Sequence, residues 1–383
     1  MKFWILLVCA LLAGCAGAPI AAPPARSLFD DARFQPPSQR ISADDVFELN
    51  ADMRRYVEAD MNQQLRVKGA QRGLIDALYQ RGNLKLEYDT ALTRNAAQAF
   101  DARSGNCLSL VIMTAAFAKQ LGLPVRFQSV YVPETWSRTG NLYFSSGHVN
   151  LSIGKRPIDA SAVFDLVEYV TIDFLRPRDL RGQHSLVIDE DTIVAMYLNN
   201  RAAESLAEGR TDDAYWWARE AIEHMPTFLT AYNTLGVVYN VHGDADMAAR
   251  VLRHVLDREP ANRQAMANLV PVLERLGRTA EARDVAARLA KIEPQPPFHY
   301  FHQGVAAMKA RDYAKARVLF QQEVDRAAYY HEFHFWLALA NLGLGNAADA
   351  RKHLAIALDN STTRNDRDLY AAKLEHLKPT RLR

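Results

Sequence analysis

The second half of the chain repeats itself. At an offset of about 34 residues, Gly209, Gly243, Gly277 and Gly345 fall in step, with Arg311 as the departure. Ala214, Ala248, Ala282, Ala316 and Ala350 hold the next register without a break, and Pro226, Pro260 and Pro294 close three of the periods. Small residues recur at Ala202, Gly236, Gly304 and Ala338, with the bulkier Val270 in the third period. A unit of this length cannot bury its apolar face alone, so successive units must stack. Small side chains let two helices approach closely, glycine turns the chain between them, and proline ends the second helix. The pattern predicts an all-α solenoid of five helix pairs over residues 191–365, followed by a capping helix and tail over 366–383.

The spacing resembles that of tetratricopeptide repeats. That resemblance implies a concave face that takes a protein or peptide partner, the bland alternative being that the array only buttresses the rest of the chain. Trp216, Trp217, Phe298, Tyr300 and Trp336 are aromatic candidates for the groove, although aromatics at helical spacing are more often core. His299 with His302, and His331 with His334, have an i, i+3 spacing suited to zinc, but no further ligand at a recognisable spacing completes a set. No metal or cofactor is therefore expected. There is no Gly-rich phosphate loop, so no nucleotide is implied. The formal charge is +2, from 46 Lys and Arg against 44 Asp and Glu, and no basic block stands out. That balance argues against a nucleic-acid partner.

At 383 residues the chain is too long for one ordinary core, which points to a separate domain ahead of the repeats, over residues 42–190. Ser42 followed by Asp45 reads as a capping box opening a helix through Val46, Phe47, Leu49, Met53 and Tyr56. A second helix is expected over Gln63 to Tyr79 and a short third over Thr93 to Arg103. The turn Ser104-Gly105-Asn106 then leads into an apolar helix from Cys107 to Leu121, stopped by Gly122 and Pro124. Cys107 stands at its first turn, where unpaired N–H groups and the helix dipole favour a thiolate.

Beyond that helix the period changes to two. Val125 to Val132, Ser146 to Ile153 and Tyr169 to Phe174 read as strands. His148, Asn150 and Ser152 share one face of the second, and Asp173 lies on the polar side of the third. Antiparallel pairing of those two strands brings His148 and Asp173 side by side. A cysteine at a helix N-terminus facing a His–Asp pair meets the requirement of thiol catalysis. Tyr131 to Ser137 reads as a loop near the cleft, with Trp136 either a pocket wall or a plug beneath it. The backbone N–H of Cys107 is the one oxyanion donor that can be named.

Arg103-Ser-Gly-Asn-Cys-Leu-Ser-Leu, Gly122-Leu-Pro-Val, Gly147-His-Val-Asn and Thr171-Ile-Asp-Phe together resemble the core of bacterial transglutaminase-like proteins. The likeness implies an α+β transglutaminase-like (papain-like) fold over residues 42–190. It assigns Cys107 as nucleophile, His148 as base and Asp173 as orienting acid. The stretch between His148 and Asp173 is longer than the compact pattern, which leaves Asp159 as a rival acid. Pro157 counts against Asp159 on a central strand. The activity implied is hydrolysis or acyl transfer at a peptide or isopeptide amide, against a rival reading as a non-catalytic peptide-binding or assembly scaffold.

The N-terminus reads as an address. Met1 and Lys2 precede the apolar run Phe3 to Leu12, as in a signal peptide over residues 1–14. Leu12-Ala13-Gly14-Cys15 resembles the lipobox of bacterial lipoproteins, which implies lipidation of Cys15 and attachment to a membrane facing the periplasm, with Ala16 favouring the outer membrane. Residues 15–41, rich in Pro and Ala, read as a flexible tether. With Cys9 and Cys15 accounted for, Cys107 is the remaining thiol, either buried filler or reactive. Cys15→Ala is expected to leave the protein unprocessed or freed from the membrane on cell fractionation. Wild-type protein found wholly soluble would refute the anchor.

Overall fold

The computed structural model describes residues 25–79, 84, 86–89, 92–139, 142–155, 168–174, 184–361 and 363–377. Cys15, the expected signal segment and Asp159 lie outside the described residues.

The front module opens differently from the sequence expectation. The Ser42 hydroxyl accepts only the Asp44 amide, at 3.2 Å, over a single 3-10 turn at Asp44–Val46. The first α-helix, α1 (Ala51–Arg55), is capped instead by Asn50, whose side chain accepts the Met53 amide at 2.9 Å. A capping box needs a Glu or Gln long enough to reach back, and Asp45 is too short for that role. The helix expected over Gln63 to Tyr79 is two, α2 (Asn62–Lys68) and α3 (Ala70–Tyr79), parted by Gly69 at a φ of +76°. Next come the two-residue strand β1 (Glu87–Tyr88), helix α4 (Ala96–Ala102) with Asn95 and Gln98 forming a capping box, and β2 (Ser104–Gly105). β1 and β2 pair in parallel.

Helix α5 (Cys107–Gln120) is the centre of the module. From Leu108 to Ala118 every residue is buried, as an apolar helix without a polar stripe must be. It packs against a four-stranded antiparallel sheet of order β5-β4-β3-β6, made of β3 (Val125–Thr139), β4 (Leu142–Ile153), β5 (Val170–Ile172) and β6 (Ser185–Ile188). Residues 131–137 belong to β3 rather than to a loop, and Trp136 pairs with Ser145. The register shifts between Val130 and Thr135, which takes Pro133, a residue with no N–H to donate, out of the ladder.

β6 runs almost directly into the repeats. Asp189 alone separates it from α6 (Glu190–Ala207), and Asp189 caps that helix by accepting the Thr192 amide at 2.7 Å. The helices then pair in order: α6 with α7 (Thr211–His224), α8 (Leu229–His242) with α9 (Ala245–Arg258), and α10 (Arg263–Arg275) with α11 (Thr279–Ile292). After them come α12 (His299–Lys309) with α13 (Tyr313–Arg326), α14 (His331–Gly343) with α15 (Ala347–Asn360), and the closing helix α16 (Arg364–His376). The small residues sit where they are needed: a Cβ on Gly236 would lie 2.7 Å from Leu252, and one on Gly304 2.6 Å from the Phe320 ring. One continuous apolar core runs from Leu28 through the front module to Val285 in the third pair. A separate core begins at Phe298.

Residues 25 to 38 are not a loose tether. Leu28 and Phe34 are buried, and Phe34 stacks on Tyr215 with ring centroids 3.9 Å apart and planes within 6°. The Tyr239 hydroxyl donates to the Leu28 carbonyl at 3.0 Å, and Trp216 Nε1 donates to the Gln35 carbonyl at 2.7 Å. Asp213 accepts both the amide and the hydroxyl of Ser38, each at 2.7 Å. Pro and Ala are frequent over residues 15–41 as a whole, but the aromatic side chains of this part decide where it goes.

The turn inside each helix pair has a positive φ: Gly209, Gly243, Gly277 and Gly345, and in the fourth pair Arg311 at 59°. A side chain there costs roughly 1–2 kcal/mol of backbone strain, partly offset by the lower entropy of a non-glycine unfolded chain. Arg311→Gly is therefore expected to raise stability by about 0.5–1 kcal/mol in urea unfolding, and a loss of stability would show that the arginine side chain holds the turn.

Candidate active site

Cys107 is the first residue of α5 and half-buried. Asn106 caps the helix, its side-chain oxygen accepting the Ser109 amide at 2.9 Å and the Ser109 hydroxyl at 2.8 Å. Gly105 is obligatory here for room, since a Cβ would lie 2.6 Å from that of Ser109. The cap leaves the Cys107 N–H, an amide with no partner inside its own helix, directed away from the helix body.

The sheet brings up the other two residues. β4 and β5 pair through Leu151 with Ile172 and Ser152 with Thr171, so Asp173 falls beside Asn150 just beyond β5. Asp173 accepts from Asn150 Nδ2 at 2.8 Å through one oxygen, and its other oxygen lies 2.8 Å from His148 Nε2. The side expected to be polar is buried as deeply as the apolar one: His148 is 3% exposed and Val149 4%. The Cys107 thiol lies near the His148 imidazole, close enough to favour its charged form. With Nε2 held by Asp173, Nδ1 is the ring nitrogen left for sulfur. Burial pulls the imidazolium down, but the hydrogen bond to Asp173 and the neighbouring Cys107 outweigh it and push the His148 pKa up to about 9. The structure thus brings Cys107, His148 and Asp173 together.

Tyr88 joins them, and no sequence signal pointed to it. β1 sets Tyr88 beside Gly105, two residues ahead of the cysteine, with the Asp89 amide donating to the Gly105 carbonyl at 3.0 Å. The residue is 40% exposed and lies close to Cys107. Burial first, then the proximity of Cys107, raises the Tyr88 pKa, so the phenol stays protonated. β1 is too short to carry a period, which is why pattern reading passes over it.

The aromatic groove candidates divide. Trp217 and Phe298 are core, Trp216 is engaged by the N-terminal segment, and Tyr300 and Trp336 are half-buried. Two of the histidines at zinc spacing have other partners: His331 bonds the Tyr370 hydroxyl at 2.7 Å, and His334 the ring of His353 at 3.0 Å.

Two family models described as tetratricopeptide repeat match residues 241–303 and 301–365. The C-terminal part is a helical tetratricopeptide solenoid. No curated protein matches the chain. Among solved structures, a thermophilic tetratricopeptide protein of Thermus thermophilus is 19% identical, covering 47% of this chain and 99% of its own, with a TM-score of 0.31. MamA from Desulfovibrio magneticus RS-1 is 18% identical over 50% of this chain and 99% of its own, with a TM-score of 0.26. PilF of Pseudomonas aeruginosa is 16% identical over 51% and 96%, with a TM-score of 0.29.

His148 is expected to titrate near 9 by NMR, and Asp173→Asn to bring it back toward its ordinary 6.5 while the fold persists. The folded pKa lies above the unfolded one, so this group's contribution to stability is whole below about pH 6.5 and is lost as pH rises through about 9. An unchanged titration in Asp173→Asn would remove Asp173 from the site.

Proposed function

We propose that the chain is a peptide- or protein-binding scaffold of the cell envelope whose front module adds cysteine chemistry to what the repeats hold. Partner binding is the half that the repeat matches support, since such arrays commonly bind protein partners. The chemistry rests on one observation: His148 stands between the Cys107 thiol and the Asp173 carboxylate, with its basicity raised.

In this reading the thiol passes its proton to Nδ1 of His148, and sulfur bonds to the carbonyl carbon of a peptide or isopeptide amide as the carbonyl π pair moves to oxygen. Asp173 holds the imidazolium, which returns the proton to the departing amine. The thioester that remains is cleaved by water or by another amine. The resemblance to transglutaminase-like proteins supports the same roles, and the lipobox motif at Cys15 supports an envelope address. A front module that only recognises peptide is the second reading, favoured by the family matches lying wholly within the repeats.

Alkylation by a small iodoacetamide probe tests the chemistry. Cys107 is expected to react faster at neutral pH than a free thiol, and His148→Ala to slow it by about 100-fold or more. A wild-type thiol no faster than free cysteine would leave the scaffold reading alone standing. Ala316, fully buried in the separate fourth-repeat core, tests the array. Ala316→Trp overpacks that crossing by about 1–3 kcal/mol and is expected to spare labelling while turnover of the natural target falls. Equal loss of both would favour the buttress.

A further inference from the structure

The seam between the front module and the first repeat is polar where most of the core is apolar. Thr93, 1% exposed, lies at its centre. Its amide donates to Glu204 Oε1 of α6 at 2.7 Å. Arg201, on the same helix, donates to the other Glu204 oxygen at 2.8 Å and to the Thr93 carbonyl at 3.4 Å. The Thr93 hydroxyl accepts from Asn200 Nδ2 at 3.3 Å and from Asn106 Nδ2 at 2.8 Å. Asn106 is the cap of α5, and its side-chain oxygen holds the first turn through Ser109, whose hydroxyl in turn accepts the Arg94 amide at 2.8 Å.

Both ends of the Asn106 amide are thus spoken for: the oxygen by the turn that carries Cys107, the nitrogen by Thr93. Burying a carboxylate, a guanidinium and two amides in such a seam is expensive unless each finds partners, and here they find one another. Burial raises the Glu204 pKa, with the Thr93 hydrogen bonds and Arg201 opposing it.

We infer that the first repeat helix positions the nucleophile, with Glu204, Arg201 and Asn200 of α6 fixing Thr93, and Thr93 fixing the Asn106 cap that sets the first turn of α5 around Cys107. The inference rests on the proposed cysteine chemistry for its consequence, though not for its geometry. Thr93, Glu204 and Arg201 are positioning residues; none touches the thiol. The repeats are then part of the site's construction as well as a platform beside it.

Thr93→Val keeps the shape of the side chain and removes the acceptor, leaving Asn106 Nδ2 without its buried partner. In the full chain, amide hydrogen exchange at residues 108–110 is expected to speed up while the rest of α5 stays protected. Iodoacetamide labelling of Cys107 at neutral pH should slow by about 10- to 100-fold, with its pH profile displaced, because a small misplacement of a reacting group has effects of that size. Thr93→Ser, which keeps the hydroxyl, should restore most of the rate. Should Thr93→Val not fold, Glu204→Gln carries the same two measurements. Wild-type exchange at 108–110 together with a wild-type labelling profile, in either variant, would overturn the inference. If the wild-type thiol is itself unreactive, the cysteine chemistry fails and the exchange arm alone decides whether α6 holds the cap.

Discussion

Helix α6 is asked to face two ways, and the molecule is organised around that demand. On one side it closes the front module, reaching Thr93 through Asn200, Arg201 and Glu204; on the other it opens the repeat array by packing on α7. Ile193, Val194, Ala195, Tyr197, Leu198, Ala202 and Leu206 are all buried, which leaves only a half-buried stripe through Thr192, Met196, Asn200, Ala203 and Ala207. A helix in that position cannot shift to suit one neighbour without disturbing the other. The single residue between β6 and α6 removes what freedom a linker would have given. The boundary near residue 190 is a change of architecture, not a break in packing, and one apolar core takes in residues from both sides of it around the polar seam at Thr93.

The array was legible in advance because close packing imposes its requirements at fixed places. Wherever two helices cross tightly, the chain must carry Gly or Ala, and wherever it turns with a positive φ it prefers glycine. The exceptions are informative. Arg311 takes up the strained turn that its neighbours leave to glycine. Val270 is tolerated at a crossing position where, at the matching place on the second helix, Ala286 stands instead of a leucine or phenylalanine. The strand pair around His148 was readable from its alternation, and the approach of Asp173 follows from the register of β4 with β5.

What escaped pattern reading is what depends on distant partners. Tyr88 lies on a strand of two residues, too short for any period, and owes its place to a parallel pairing with Ser104–Gly105. The capping of α1 by Asn50 rather than Ser42 turns partly on Asp101, which accepts from Asn50 Nδ2 at 2.9 Å from 51 residues away. Residues 25 to 38 read as linker by composition, yet Phe34 is a fully engaged aromatic between Tyr215, Tyr239 and His242. Local propensity has no access to such contacts, because their energy is realised only after the remote surface has formed.

That last arrangement has a bearing on how the chain acquires its fold. The bond from Tyr239 to the Leu28 carbonyl joins residues 211 apart, and those from Asp213 to Ser38 join residues 175 apart. Synthesis and any export proceed from the N-terminus, so the segment that is made first has nothing to dock on until α7 of the first helix pair has emerged, and its site is complete only with Tyr239 of the second. Closing so long a loop is slow, and apolar surface kept waiting is prone to find the wrong partner. In this protein the Leu28–Phe34 stretch is such a surface. Its docking therefore has to follow the formation of the distant surface that receives it.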